Sequence, residues 1–205
     1  MCLLRLCKPN QIPIAMRNFT LCVMMLCCVS ANAQLKLPLK TTNEISPVLE
    51  KVITDFPNDF AHIRGDLIEE QPSIVNYSCM LTIKGMDSGM ITQYGYEKEH
   101  SFSWKNTLLV TDNFEEAKNK YKQFYNNIKK TVTSIEHLEI KLAADYIEPE
   151  EFKTFNIIRF KLETVQDLVK DVTVELNMEY EMDQWKITVS VFHIEDAGNS
   201  LAGDN

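Results

Sequence analysis

Apolar and polar positions change period repeatedly along the chain, and each change predicts an element. Leu49, Ile53, Phe56, Phe60 and Ile63 recur at three- and four-residue spacing, the stripe of a helix with one apolar face. Ser46-Pro47 offers a capping hydroxyl followed by a proline at the first helical position, where its missing N–H costs nothing. Pro57 predicts a kink or a break into two short helices near Phe56, and Gly65 a stop.

From Ile74 to Val110 the period falls to two. This predicts a strand from about Val75 to Lys84, a loop at Gly85-Met86-Asp87-Ser88-Gly89, and a return over Met90 to Tyr96. A third strand then runs through Phe102, Trp104 and Leu108 to Val110, an antiparallel meander in outline. The helical period returns with Phe114, Ala117, Tyr121, Phe124, Tyr125, Ile128 and Val132 on one face. Glu115, Glu116, Lys118, Asn119, Lys122 and Lys129 form the opposite, solvated face, and Asp112 and Glu115 stand at capping-box spacing.

Four further strands are predicted. Ile140, Leu142, Ala144 and Tyr146 alternate, as do Ile158, Phe160 and Leu162. Val172, Val174, Leu176, Met178, Tyr180 and Met182 form the longest run, and a tight turn at Met182-Asp183-Gln184 leads into Trp185, Ile187, Val189 and Val191. One-sided strands and one-sided helices must bury their apolar sides against each other. The order helix, meander, helix, meander therefore predicts an α+β two-layer sandwich, a curved antiparallel sheet of about six to eight strands with both helices on one face. Residues 46–195 form this single domain, and 196–205 are expected to be a disordered tail.

The beginning of the chain changes the picture by adding a compartment. Arg17 precedes a largely apolar run from Phe19 to Val29, too short to cross a bilayer, and Ala31-Asn32-Ala33 supplies a small-x-small cleavage site. Residues 1–33 are expected to be a signal peptide cleaved between Ala33 and Gln34, with Met16 an alternative start. Leu26 before Cys27, and Cys27 before Cys28, are too large for a lipoprotein site, so lipidation is disfavoured. The mature chain would be periplasmic or secreted and open with an extended segment over residues 34–45.

Charge and cysteine content narrow the class. The full chain carries a formal charge of −8, and the leader's Arg5, Lys8 and Arg17 leave the mature part more acidic still. That balance excludes a nucleic-acid partner, which needs a basic stripe, and disfavours an anionic membrane surface. Every cysteine except Cys79 lies in the leader, so no internal disulfide can form and hydrophobic burial must hold the domain together. Cys79 sits in an alternating run with Tyr77, Leu81 and Ile83, which reads as a small buried hydrophobe.

Catalytic and metal signatures are weak. His62, His100, His137 and His193 lack ligand spacing, and Asp145-Tyr146-Ile147-Glu148-Pro149-Glu150-Glu151 lacks the regular oxygen spacing and glycine of a calcium loop, so neither a metal nor a cofactor is expected. Ser88 misses the nucleophile-elbow pattern. What remains is aromatic: Tyr94 and Tyr96 share one face of a strand, and Phe102 and Trp104 one face of the next. If they meet across the ladder and stay partly exposed, they form a ligand groove, with at least Tyr96 and Trp104 lining it; if buried, they are core.

The reading is an exported, non-enzymatic binding or interaction module for a small molecule or a protein. One alternative is a hydrolase using Glu97, Glu99 and Asp145 with His100. Another is an envelope assembly component whose partner completes its sheet.

Overall fold

The computed structural model describes residues 44–96, 99–135, 138–163, 169 and 171–193. By its contacts the chain divides into Met1–Thr42 and Asn43–Asn205, and the described residues all belong to the second unit. The leader, its cleavage site at Ala33 and Gln34, most of the extended segment and the expected tail lie outside the described residues.

Helix α1, Ser46–Asp55, leads through a 3-10 turn at Phe56–Asn58 into four strands: β1 Arg64–Gln71, β2 Ile74–Thr82, β3 Ser88–Tyr96 and β4 Glu99–Thr111. Helix α2, Phe114–Lys129, precedes five more: β5 Val132–Ile135, β6 Leu138–Ala143, β7 Phe155–Glu163, β8 Val172–Glu181 and β9 Gln184–His193. The protein is therefore α+β, with two helices and one nine-stranded sheet in the order β1-β2-β3-β4-β9-β8-β7-β6-β5. Each neighbouring pair is antiparallel.

Nine strands exceed the expected six to eight because β1 and β5 have no clean alternation. β1 reads Arg-Gly-Asp-Leu-Ile-Glu-Glu-Gln, places Leu67 and Ile68 on consecutive positions, and is almost wholly exposed. β5 begins at Val132, which the helical spacing had assigned to α2; the helix ends at Lys129 and Val132 is exposed. Gly65 stops no helix: it lies in β1, where a Cβ would stand 2.4 Å from the Ser78 hydroxyl.

Helix ends also shift by a residue. Ser46 lies inside α1, whose first turn has no side-chain cap, and its hydroxyl instead meets Thr131 Oγ1 at 2.8 Å. At α2 the cap is Asn113, whose extended backbone lets its side chain accept from Glu116 N at 3.0 Å, and Glu116 accepts from the Thr111 hydroxyl in turn. The pair sits one residue after the Asp112 and Glu115 that the sequence suggested.

Ala117, Tyr121, Phe124, Tyr125 and Ile128 of α2 pack on β4, β6, β8 and β9. With Leu49, Val52 and Ile53 of α1 they form one core with the inward residues of the sheet. Tyr121 drives its hydroxyl between the carbonyls of Asn156 and Leu176, each at 3.2 Å, and burial pushes its pKa up.

Laid flat, eight strand spacings of about 4.8 Å would separate β1 from β5 by roughly 38 Å. Yet α1, about 15 Å long, bonds the β5 side through Thr54 and Thr133 at 3.2 Å. Phe60 N then returns to Asp55 O, and Arg64 N to Phe60 O, at the start of β1. So short a chain of bonds between the two edges requires the sheet to curl, bringing both margins beside α1.

The turn from α1 to β1 needs Asp59 and Phe60 in the left-handed region, at φ 53° and 58°. That conformation costs about 1–2 kcal/mol for a non-glycine residue. Phe60 offsets it by burying its whole ring edge-on to Phe56, with centroids 5.5 Å apart. The buried Asp55 carboxylate staples the same turn, accepting from Asn58 Nδ2 at 3.2 Å, His62 N at 2.9 Å and His62 Nδ1 at 2.5 Å.

Candidate functional site

The registers of β3, β4 and β9 decide which aromatic residues meet. Tyr94 pairs with Ser101, Gln93 with Phe102 and Ile91 with Trp104. Because side chains alternate faces, this register puts Tyr94 on one side of the sheet and Phe102 and Trp104 on the other. Trp104 is fully buried and Phe102 nearly so. Trp104 is core and no groove wall, a correction to the expectation from spacing. The Tyr96 side chain lies outside the described part.

Trp104 explains why Gly89 is a glycine. A Cβ there would stand 2.6 Å from Trp104 Nε1 and 3.2 Å from its Cε2. Gly89→Ala is therefore expected to cost about 1–3 kcal/mol by overpacking, read from urea unfolding. In a Trp104→Ala background the penalty should vanish; an equal penalty there would place the clash elsewhere. Cys79 is buried, and that burial pushes its thiol up more strongly than the Leu81 N–H draws it down. The only cysteine among the described residues is thus a poor nucleophile.

On the opposite face of these strands the side chains form a small grid. Tyr94 lies beside Ser101; Thr92, Ser103 and Phe192 form the next row; Met90, Lys105 and Ser190 form the third. Short serine and threonine side chains make a floor between longer ones, and the result is a cleft of about 540 Å³ that Phe102 and His193 also line. Tyr94 remains 44% exposed. Thr92 donates to Asn76 Oδ1 at 2.9 Å, and Asn76 donates to Glu69, which fixes that flank. The cleft offers the rings of Tyr94 and Phe192, hydroxyls and one amine, with His193 beside them, the mixture of apolar walls and few polar groups that suits a small ligand.

Of the four residues singled out by spacing, Tyr94 presents its side chain on the cleft's face, Phe102 borders the cleft from a position whose buried side chain belongs to the other face, and Trp104 takes no part. Ser101, Ser103 and Lys105 alternate with the aromatic positions of β4 and are not named by aromatic spacing, and Ser190 and Phe192 belong to β9, which no local spacing ties to β4. The other parity, Ser101-x-Ser103-x-Lys105, carried the available signal.

Among the described residues of the acid–histidine set, Asp145 and His100 are not brought together. His100 places Nε2 3.9 Å from Asp59 Oδ2 and stacks edge-on to Phe102 at 5.4 Å. Asp145 follows β6, with β9, β8 and β7 standing between it and β4. Glu97, His137 and the Glu99 side chain lie outside the described part. Glu148 is held by Lys118 at 2.7 Å, which draws its carboxyl below the usual range, and Glu150 pairs with Lys153. These carboxylates face lysines rather than a common centre, and among the described residues no group of three acids, histidines or cysteines is arranged to hold a metal. Among them, too, no helix is long and apolar enough to cross a membrane.

No protein-family model, curated protein or solved structure matches the chain.

Proposed function

We propose that the protein is an exported, non-enzymatic binding module that holds a small amphipathic ligand in the cleft of β3, β4 and β9. The observation that carries this reading is the cleft itself, about 540 Å³ with Tyr94 and Phe192 flanking a hydroxyl floor. A sugar-like molecule fits: its apolar ring face stacks on Tyr94 while its hydroxyls exchange hydrogen bonds with Ser101, Ser103 and Ser190. The sheet and helices lie in two layers, with α1 and α2 on the apolar face, leaving this polar face available. Residues 1–33 direct export, and the protein recovered from the envelope or medium begins at Gln34.

The full chain titrated with neutral saccharides, maltotriose first, is expected to show amide shifts confined to β3, β4 and β9. Tyr94→Ala should weaken binding about tenfold and leave the unfolding midpoint nearly unchanged, because the ring is already half in water. Binding indifferent to Tyr94→Ala, or turnover abolished by a single polar substitution, overturns the reading.

The edge strand β1 favours a second reading, assembly through sheet completion. It pairs only with β2, exposes Leu67 at 54% and Ile68 at 61%, and carries neither proline nor lysine. Concentration-dependent association lost in Ile68→Lys would support it, and a strict monomer at all concentrations would count against it.

A further inference from the structure

We propose that the ligand of this cleft is acidic, a saccharide or sugar-like molecule bearing a carboxylate that Lys105 receives. The inference rests on the cleft being the binding site and adds the ligand's charge. Lys105 stands between Met90 and Ser190 on the floor, and none of the ion pairs among the described residues includes it. That isolation is unexpected in a chain with 29 acidic residues against 21 lysines and arginines.

The ladder shows why it persists. The nearest acid along the same row is Glu175, opposite Ser190, and Arg159 already donates to it at 2.9 Å from the next strand. Lys105 therefore keeps an uncompensated positive charge on a half-buried surface, beside serine hydroxyls able to donate to the same anion. A single ammonium on a flexible stem acts as a point charge, and with no second cation facing it in the row it offsets one negative charge, which a monoanionic carboxylate supplies. Tyr94, two rows away, supplies the apolar contact that a simple inorganic anion would leave unused.

Trigalacturonic acid and its fully methyl-esterified form separate charge from shape, because the ring skeleton is unchanged. Titrated into the full chain at low salt and followed by amide shifts, the acid is expected to bind at β3, β4 and β9 about tenfold more tightly than the ester. Lys105→Gln should bring the acid down to the ester's affinity without moving the ester, and Lys105→Arg should retain most of the preference. Equal affinity for acid and ester, or an acid preference that survives Lys105→Gln, overturns the inference while leaving the cleft as a binding site. No shift with the acid at millimolar concentration also overturns it, and maltotriose then decides the underlying reading separately.

Discussion

Trp104→Ala is expected to destabilise the protein by about 3 kcal/mol, the lower part of the ~3–5 kcal/mol range for a buried aromatic. The indole is fully enclosed, paired across the ladder with Ile91 on one side and Val191 on the other, with Gly89 against its ring. Truncation leaves a cavity that the flanking strands cannot close without breaking their registers. One effect works the other way: Trp104 Nε1 has no hydrogen-bond partner. Removing an unsatisfied donor returns part of its desolvation cost, of order 1–3 kcal/mol. Lost packing wins because the whole bicyclic ring goes with the N–H. Trp104→Phe keeps most of the volume and discards the orphan donor, so its cost should fall below about 1.5 kcal/mol. Urea unfolding checks both; a Phe variant as damaged as the Ala variant would show that the N–H is satisfied in solution.

Asp55→Ala is expected to cost about 2–4 kcal/mol, although the residue does not line the cleft. Its carboxylate gathers three donors from a turn of eight residues, and the turn holds two non-glycine residues in the left-handed region. Without it the His62 backbone N–H loses a buried, charge-assisted acceptor, and only the burial of Phe60 is left to offset the strain at Asp59 and Phe60. His62→Ala provides the contrast. Its side chain is mostly exposed, and the backbone bond to Asp55 survives the substitution, so the loss should stay below about 1 kcal/mol. If the two variants unfold at the same urea concentration, the ring pair rather than the backbone staple holds the turn.

Much of this architecture is written in local pattern. The alternation from Val172 to Met182 names the buried apolar residues of β8 as far as Met178, because a strand's faces repeat every second residue whatever its partner, but it leaves out Thr173, which is buried on the other face. The apolar stripe of α2 is equally legible up to Ile128. It misleads only at Val132, where one more apolar residue at helical spacing belongs to the next strand. β1 escapes detection because an edge strand with both faces wet needs no alternation, and its place is secured by pairing to β2.

The cleft depends on information no local window contains. Tyr94 and Phe102 are eight residues apart, and whether they share a face turns on a one-residue choice of register that the whole hydrophobic face of the sheet settles. Ser190 and Phe192 reach the cleft from the far end of the chain because β9 inserts beside β4, a long-range pairing. Lys105 stays uncompensated because Arg159, three strands beyond it, takes Glu175. The sequence by itself determined which face of most strands and of each helix is apolar, through side-chain period and burial. Tertiary structure decided strand order, register and curl, since these follow from burying all the apolar faces at once, and they alone place the serines, the tyrosine and the lysine around one cleft.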